Sequence, residues 1–146
     1  MPFKAFFLNL LKILRTPYEE KIMELEKILS SEVVDLTSLK SFFASDRNML
    51  IEIIRVFVSD TKLKVTQLEE NILKLNYEQI IEISQFLKSS YGLMGLSCLN
   101  ELTVLEKLAG NAKKDNLIIK KLNEIIFNSR ESITEYKKIL KKLESA

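Results

Sequence analysis

A chain of 146 residues is long enough to bury one substantial core, and 22 Lys and Arg against 20 Asp and Glu leave it too nearly neutral for a large nucleic-acid footprint. It contains no His and one Cys, Cys98, which excludes a Ser-His-Asp triad, a Cys-His nucleophile pair, a Cys/His zinc site and an internal disulfide. Three Gly and two Pro leave few places to turn, so the elements must be long.

Residues Phe3, Phe6, Phe7, Leu10, Leu11 and Leu14 recur at helical spacing, with Lys4, Lys12 and Arg15 elsewhere on the helix. The spacing predicts an amphipathic helix that needs a partner surface. Its apolar run is interrupted by Lys4, Asn9, Lys12 and Arg15 and lacks a small-residue cleavage site, unlike a secretory signal. Phe3, Phe6, Phe7, Leu10 and Leu14 are the expected contacts, either with the rest of the fold, with a second copy in a homodimer, or with a membrane surface. A junction with a larger signalling chain is a further origin for such a helix.

Thr16 as cap, Pro17 at the first helical position, and Glu19 and Glu20 in the first turn predict the next helix. Its stripe, Tyr18, Ile22, Leu25, Ile28 and Leu29, runs to Ser30 and Ser31. With almost no linker between these helices, a hairpin or a kinked rod is expected, and residues 1–31 form an N-terminal amphipathic helical extension.

Asp35 is expected to open a short helix through Phe43, carried by Leu36, Leu39 and Phe43, and Ala44, Ser45 and Asp46 break it. Ser45 or Asp46 then caps a long helix in which Leu50, Ile54, Phe57, Thr61, Val65, Leu68, Ile72 and Leu75 alternate at three and four residues, a seam of about seven turns. Asn76 caps the following helix, which begins at Tyr77; Ile80, Ile83, Leu87, Tyr91 and Met94 form its core line, and Gly92 and Gly95 weaken its end. Ser97 is expected to cap another, with Leu99, Leu102, Leu105 and Leu108, that stops at Gly110 and Asn111. Asp115 opens the last, whose stripe is Ile118, Leu122, Ile125, Ser129, Ile133, Tyr136, Leu140 and Leu143. No period-two run and no glycine-rich phosphate loop occurs in the sequence. The expected fold is all-α: a four-helix up-and-down bundle within residues 35–146, with additional N-terminal helices.

The stretch Ser84 to Gly95 carries the functional expectation. As a helix it places Gln85 and Lys88 one turn apart on a face away from Ile83, Leu87, Tyr91 and Met94. Its spacing resembles the signature of histidine-containing phosphotransfer (HPt) domains, helical bundles that relay phosphate between receiver domains. Leu87, Lys88, Ser89, Ser90, Met94 and Gly95 fall in register with that pattern. Leu99, Leu102, Leu105 and Glu106 match the helix after it, and Ser45 to Leu75, with Phe57 in its middle, is similar to the first bundle helix. The resemblance covers roughly residues 35 to 143, and the position of the phosphate-accepting His is Gln85.

A Gln amide has its nitrogen lone pair delocalised into the carbonyl and is a poor nucleophile, so no phosphohistidine can form here. What the resemblance implies is a docking centre at Gln85, Lys88, Ser89 and Ser90 for the receiver domain of a response regulator or hybrid histidine kinase, without phosphotransfer. Ile81 and Phe86 flank that centre with apolar surface of the kind partners bury. Two alternatives stand beside it: a structural or assembly protein acting through its N-terminal helices, and an HPt protein whose His was substituted by design. Adjacent acids such as Glu69 and Glu70 point to different sides of a helix and read as solvated surface. No enzyme activity, cofactor, metal or nucleic acid is expected. Cys98 reads as a semi-buried residue near a helix start, and with no run of the roughly 20 apolar residues a span needs, the expected location is the cytoplasm.

Overall fold

The computed structural model describes the backbone of residues 2–14, 16–111 and 114–145, and their side chains apart from those of residues 2, 3, 8, 11 and 12. Seven helices and no strand are found among the described residues: α1 (Pro2–Leu14), α2 (Pro17–Ile28), α3 (Thr37–Phe43), α4 (Arg47–Leu73), α5 (Tyr77–Met94), α6 (Leu99–Asn111) and α7 (Asp115–Ser145). None is long and apolar enough to cross a membrane.

Local chemistry sets most of the boundaries. Thr16 Oγ1 accepts the Glu19 amide at 3.2 Å, Asp46 Oδ1 that of Met49 at 3.0 Å and Asn76 Oδ1 that of Gln79 at 3.1 Å, so α2, α4 and α5 each start at the expected cap. Two starts differ from expectation. Asp35 does not open α3; its Oδ1 accepts both the amide and the hydroxyl of Thr37, at 3.0 and 2.6 Å, and this local turn defers the helix to Thr37. Nor does α6 begin under a Ser97 cap: the Cys98 amide is taken by Asn128 Oδ1 of α7 at 3.1 Å, and the helix starts at Leu99. At its far end α4 closes at Leu73, short of Leu75, because the next turn is built on a side chain. Asn71 is buried there, donating to Gln67 O and Gln79 Oε1 at 3.0 and 2.7 Å and accepting the Asn76 amide at 2.7 Å.

Helix α4 packs along α7, α5 against α6, α6 against α7, and α4 against α5, so these four helices close around one core. The seam residues Leu50, Ile54, Phe57, Thr61, Val65 and Leu68 meet Ile80, Ile83, Leu87, Tyr91 and Met94 from α5 and Ile118, Leu122, Ile125, Tyr136 and Leu143 from α7 in that core. Phe57 sits edge-on to both Tyr136 and Tyr91, at ring-centroid distances of 5.1 and 6.2 Å. Each buried phenol has a partner: Tyr91 Oη lies 2.5 Å from Ser129 Oγ, and the Tyr136 hydroxyl donates to the Met94 carbonyl. Outside the ring, α2 packs on α7, and α3 on α4 and α5.

Leu25 of α2 and Leu29, which caps its C-terminal end, are buried, whereas Tyr18 is exposed. Thr16, the N-cap of α2, is extended (φ −71°, ψ 154°), and among the described residues α1 and α2 do not pack along each other as a hairpin. On α1, Phe6, Ile13 and Leu14 are exposed by 65, 77 and 70%, with Phe7 and Leu10 less so; the Phe3 side chain lies outside the described residues.

Candidate functional site

Helix α5 presents two faces because its apolar residues recur at three and four while Glu82, Gln85, Phe86 and Ser89 fall between them. Its C-terminal end is fixed by Gly95, which adopts φ +69° and whose amide closes on the Tyr91 carbonyl. The Gly95 carbonyl in turn accepts the Asp35 amide at 2.9 Å. A Cβ at Gly95 would stand 1.7 Å from the Asp35 carbonyl oxygen, so the approach of that segment requires a glycine. The register of the displayed face is thereby set from inside the fold.

On that face, Gln85 Nε2 donates to Glu106 Oε1 of α6 at 2.9 Å, and the Lys88 ammonium pairs with Glu106 Oε2. One carboxylate thus holds both side chains that were expected to meet a partner. The Lys88 ammonium first, and the Gln85 amide second, keep the Glu106 carboxyl below its ordinary range against a smaller opposing effect of burial. Lys88 therefore stands as half of an ion pair, and its charge is largely balanced before any partner arrives. Ser89 is exposed, and Ser90 is half-buried with its hydroxyl donating to the Leu87 carbonyl at 3.2 Å.

Beside Gln85 a groove of about 540 Å³ runs between α4 and α5. Ile53, Val56, Phe57, Phe86, Leu93 and Met94 give it apolar walls, and Gln85, Ser89 and Ser90 line it from the displayed side. Among the described residues that line it, the charged ones are acidic, Glu52 and Asp60. Phe86 and Val56 are each 50% exposed, and Lys64 Nζ lies 4.8 Å above the Phe86 ring, an exposed cation-π contact at the groove's edge. Ile81 differs from Phe86: it is half-buried and packs against the core, so it contributes less to this surface.

The structure thus brings Gln85, Phe86, Ser89 and Ser90 to one groove, sets Lys88 beside Gln85 through Glu106, and leaves Ile81 at the margin. Sequence reasoning missed Glu106 as the shared partner and missed the α4 wall. The wall had a signal, since Ile53 and Val56 form a short apolar row off the main seam of the long helix. Glu106 had none beyond its place in the resemblance, because its contact depends on how α6 packs on α5.

No acid-base or nucleophilic set converges here: the Gln85 amide is not nucleophilic, and Ser90 is bonded back to its own helix. Among the described residues, no group of three or more His, Cys, Asp or Glu is placed to hold a metal ion. Burial pushes the Cys98 thiol up to about 11, opposed in part by Ser129, so it stays protonated and unreactive near neutrality. What the arrangement offers is an apolar trough with a polar, hydrogen-bonded rim, suited to binding. Comparison with family models, with curated proteins and with solved structures gives no match.

Proposed function

We propose that this chain is a non-catalytic, HPt-like docking module of phosphorelay signalling. Helices α4 to α7 serve as its four-helix up-and-down bundle, and the α4/α5 groove receives a receiver domain of a response regulator or hybrid kinase without passing phosphate. The reading rests on the register of Leu87, Lys88, Ser89, Ser90, Met94 and Gly95 with the HPt signature. The single structural observation that supports it is that Gln85, at the phosphate-accepting position, is exposed at the rim of an open apolar groove. A module that holds a receiver in that groove would compete with a true phosphotransfer protein for it, and so acts as an inhibitor or scaffold.

Calorimetric titration of the full chain against receiver domains from the same source, with and without a phosphoryl mimic in their acidic pockets, tests this. Saturable binding to one receiver is expected, weakened at least about tenfold by Phe86→Asp, or about 1.4 kcal/mol. The Gln85→His variant is expected to take label from a competent phosphodonor, since the surrounding surface is unchanged. Absence of binding across the panel, together with a folded Gln85→His chain that stays unlabelled, overturns the proposal.

A further inference from the structure

Among the described residues, the α4/α5 groove is open to solvent, and so are the side chains of Phe6, Leu10, Ile13 and Leu14 on α1. Their chemistries are complementary. The first fifteen residues carry Lys4, Lys12 and Arg15 and no acid, whereas the groove's charged lining residues, Glu52 and Asp60, are both acidic. The sizes also agree. The groove extends along α4 from Glu52 to Thr61, about 14 Å at helical rise, and the 13 residues of α1 span about 20 Å. An amphipathic helix laid in an apolar groove is a recurrent mode of recognition, anchored by residues at i, i+3, i+4 and i+7. Phe6, Leu10 and Ile13 supply that spacing.

Among the described residues that line the groove none belongs to α1, α1 is joined to α2 through only Arg15 and Thr16, and α2 packs on α7. We propose that α1 of one copy occupies the α4/α5 groove of a second copy, and reciprocally, forming a two-fold dimer in which each groove is closed by its partner's helix. Resting on the docking function above, the partner's α1 and a receiver compete for the groove, because both occupants need Phe86 and Val56, and receiver binding draws the chain from dimer to monomer.

Sedimentation velocity of the full chain, with helicity checked by circular dichroism, decides it. The wild type is expected to sediment as a dimer. Phe6→Glu with Leu10→Glu, which sets acids against Glu52 and Asp60, and Val56→Lys, which sets a cation against Lys4, are each expected to give a folded monomer. Mixing the two variants should restore a heterodimer, since one retains a working α1 and the other a working groove. A monomeric wild type overturns the proposal. So does a Val56→Lys chain that still dimerises, which would mean that α1 pairs with α1. A monomeric wild type that binds anionic vesicles, and loses them on Phe6→Glu with Leu10→Glu, would assign α1 to a membrane surface instead. The α1 variant leaves the groove untouched and must bind a receiver at least as tightly as the wild type. Dimer and rescue without any receiver binding would remove the docking function alone; receiver binding by a monomeric wild type would remove the dimer alone.

Discussion

The inner and outer faces of α5 are held by different kinds of contact. Inside, Tyr91, Met94 and Gly95 are tied by buried or backbone hydrogen bonds to Ser129 and Tyr136 of α7 and to Asp35 before α3. Outside, Gln85 and Lys88 share the one carboxylate of Glu106 in partial contact with water, and Phe86 is half exposed beside an open groove. A buried polar pair cannot lose one member without leaving the other unsatisfied, whereas water can replace any member of the outer set. The inner face therefore fixes where the outer face stands, and the outer face is free to change its chemistry. Residue 85 could therefore change without loss of the fold, as the docking function proposed above requires.

The sharpest way to break that contrast is at the two glycines near the end of α5. Gly95→Ala brings a Cβ to within 1.7 Å of the Asp35 carbonyl oxygen at a residue with φ +69°. Left-handed strain plus displacement of the segment at Asp35 is expected to cost about 3 kcal/mol or more. Gly92→Ala, three residues earlier, meets nothing nearer than Leu99 Cδ2 at 4.0 Å. There the change should stabilise by about 0.5–1 kcal/mol, as in any unstrained helix interior. Urea unfolding of the pair reads both. Equal effects at the two positions would show that the joint with Asp35 does not hold α5 in place.

A smaller effect is expected at Tyr136. Its hydroxyl donates to the Met94 carbonyl, and the Cys98 amide that a continuing helix would have offered to Met94 is bonded to Asn128 instead. Tyr136→Phe removes that donor and strands a buried acceptor, at a cost of about 1–3 kcal/mol by urea unfolding. Burial also raises the Tyr136 hydroxyl well above its ordinary value, so this contribution should hold unchanged across neutral and mildly alkaline pH. An unfolding midpoint unmoved by Tyr136→Phe would mean that packing with Phe57 alone fixes the ring.

What the sequence made legible is what repeats or sits next to itself. The apolar rows of α4, α5 and α7 recur at three and four residues over many turns, and their seam residues lie in the core with Ile72 and Leu140 half-buried at its margin. The caps Thr16, Asp46 and Asn76 act on amides three residues away, within reach of local reading. Illegible were the bonds between distant segments: Asn128 taking the Cys98 amide, Asp35 reaching Gly95, and Glu106 joining Gln85 to Lys88. The glycine at 95 reads from the sequence as a weak helix end, yet its space is demanded by a segment sixty residues earlier. For the site, the residues of α5 were legible through one-turn spacing, while Ile53 and Val56, a short apolar row in the sequence, become a wall only where α4 lies beside α5.

On the outer face the effects should be smallest and should depend on pH. Glu106→Gln keeps an acceptor for Gln85 but removes the charge that balances Lys88. Because Lys88 and Gln85 depress the Glu106 carboxyl in the folded state from its ordinary 4.5, the pair contributes fully above that value and its contribution fades as pH falls through the lower folded value. With both side chains partly in water, the loss at pH 7 is expected to be no more than about 0.5 kcal/mol, and the variant and wild type should converge in urea midpoint as the pH is taken well below 4.5. A gap that persists at low pH would place the effect in packing and not in charge. The same variant leaves Lys88 unbalanced beside Gln85, so an acidic receiver pocket should bind it more tightly even as the fold weakens slightly. Stability and docking moving in opposite directions is an outcome that only an outer face uncoupled from the inner one can give.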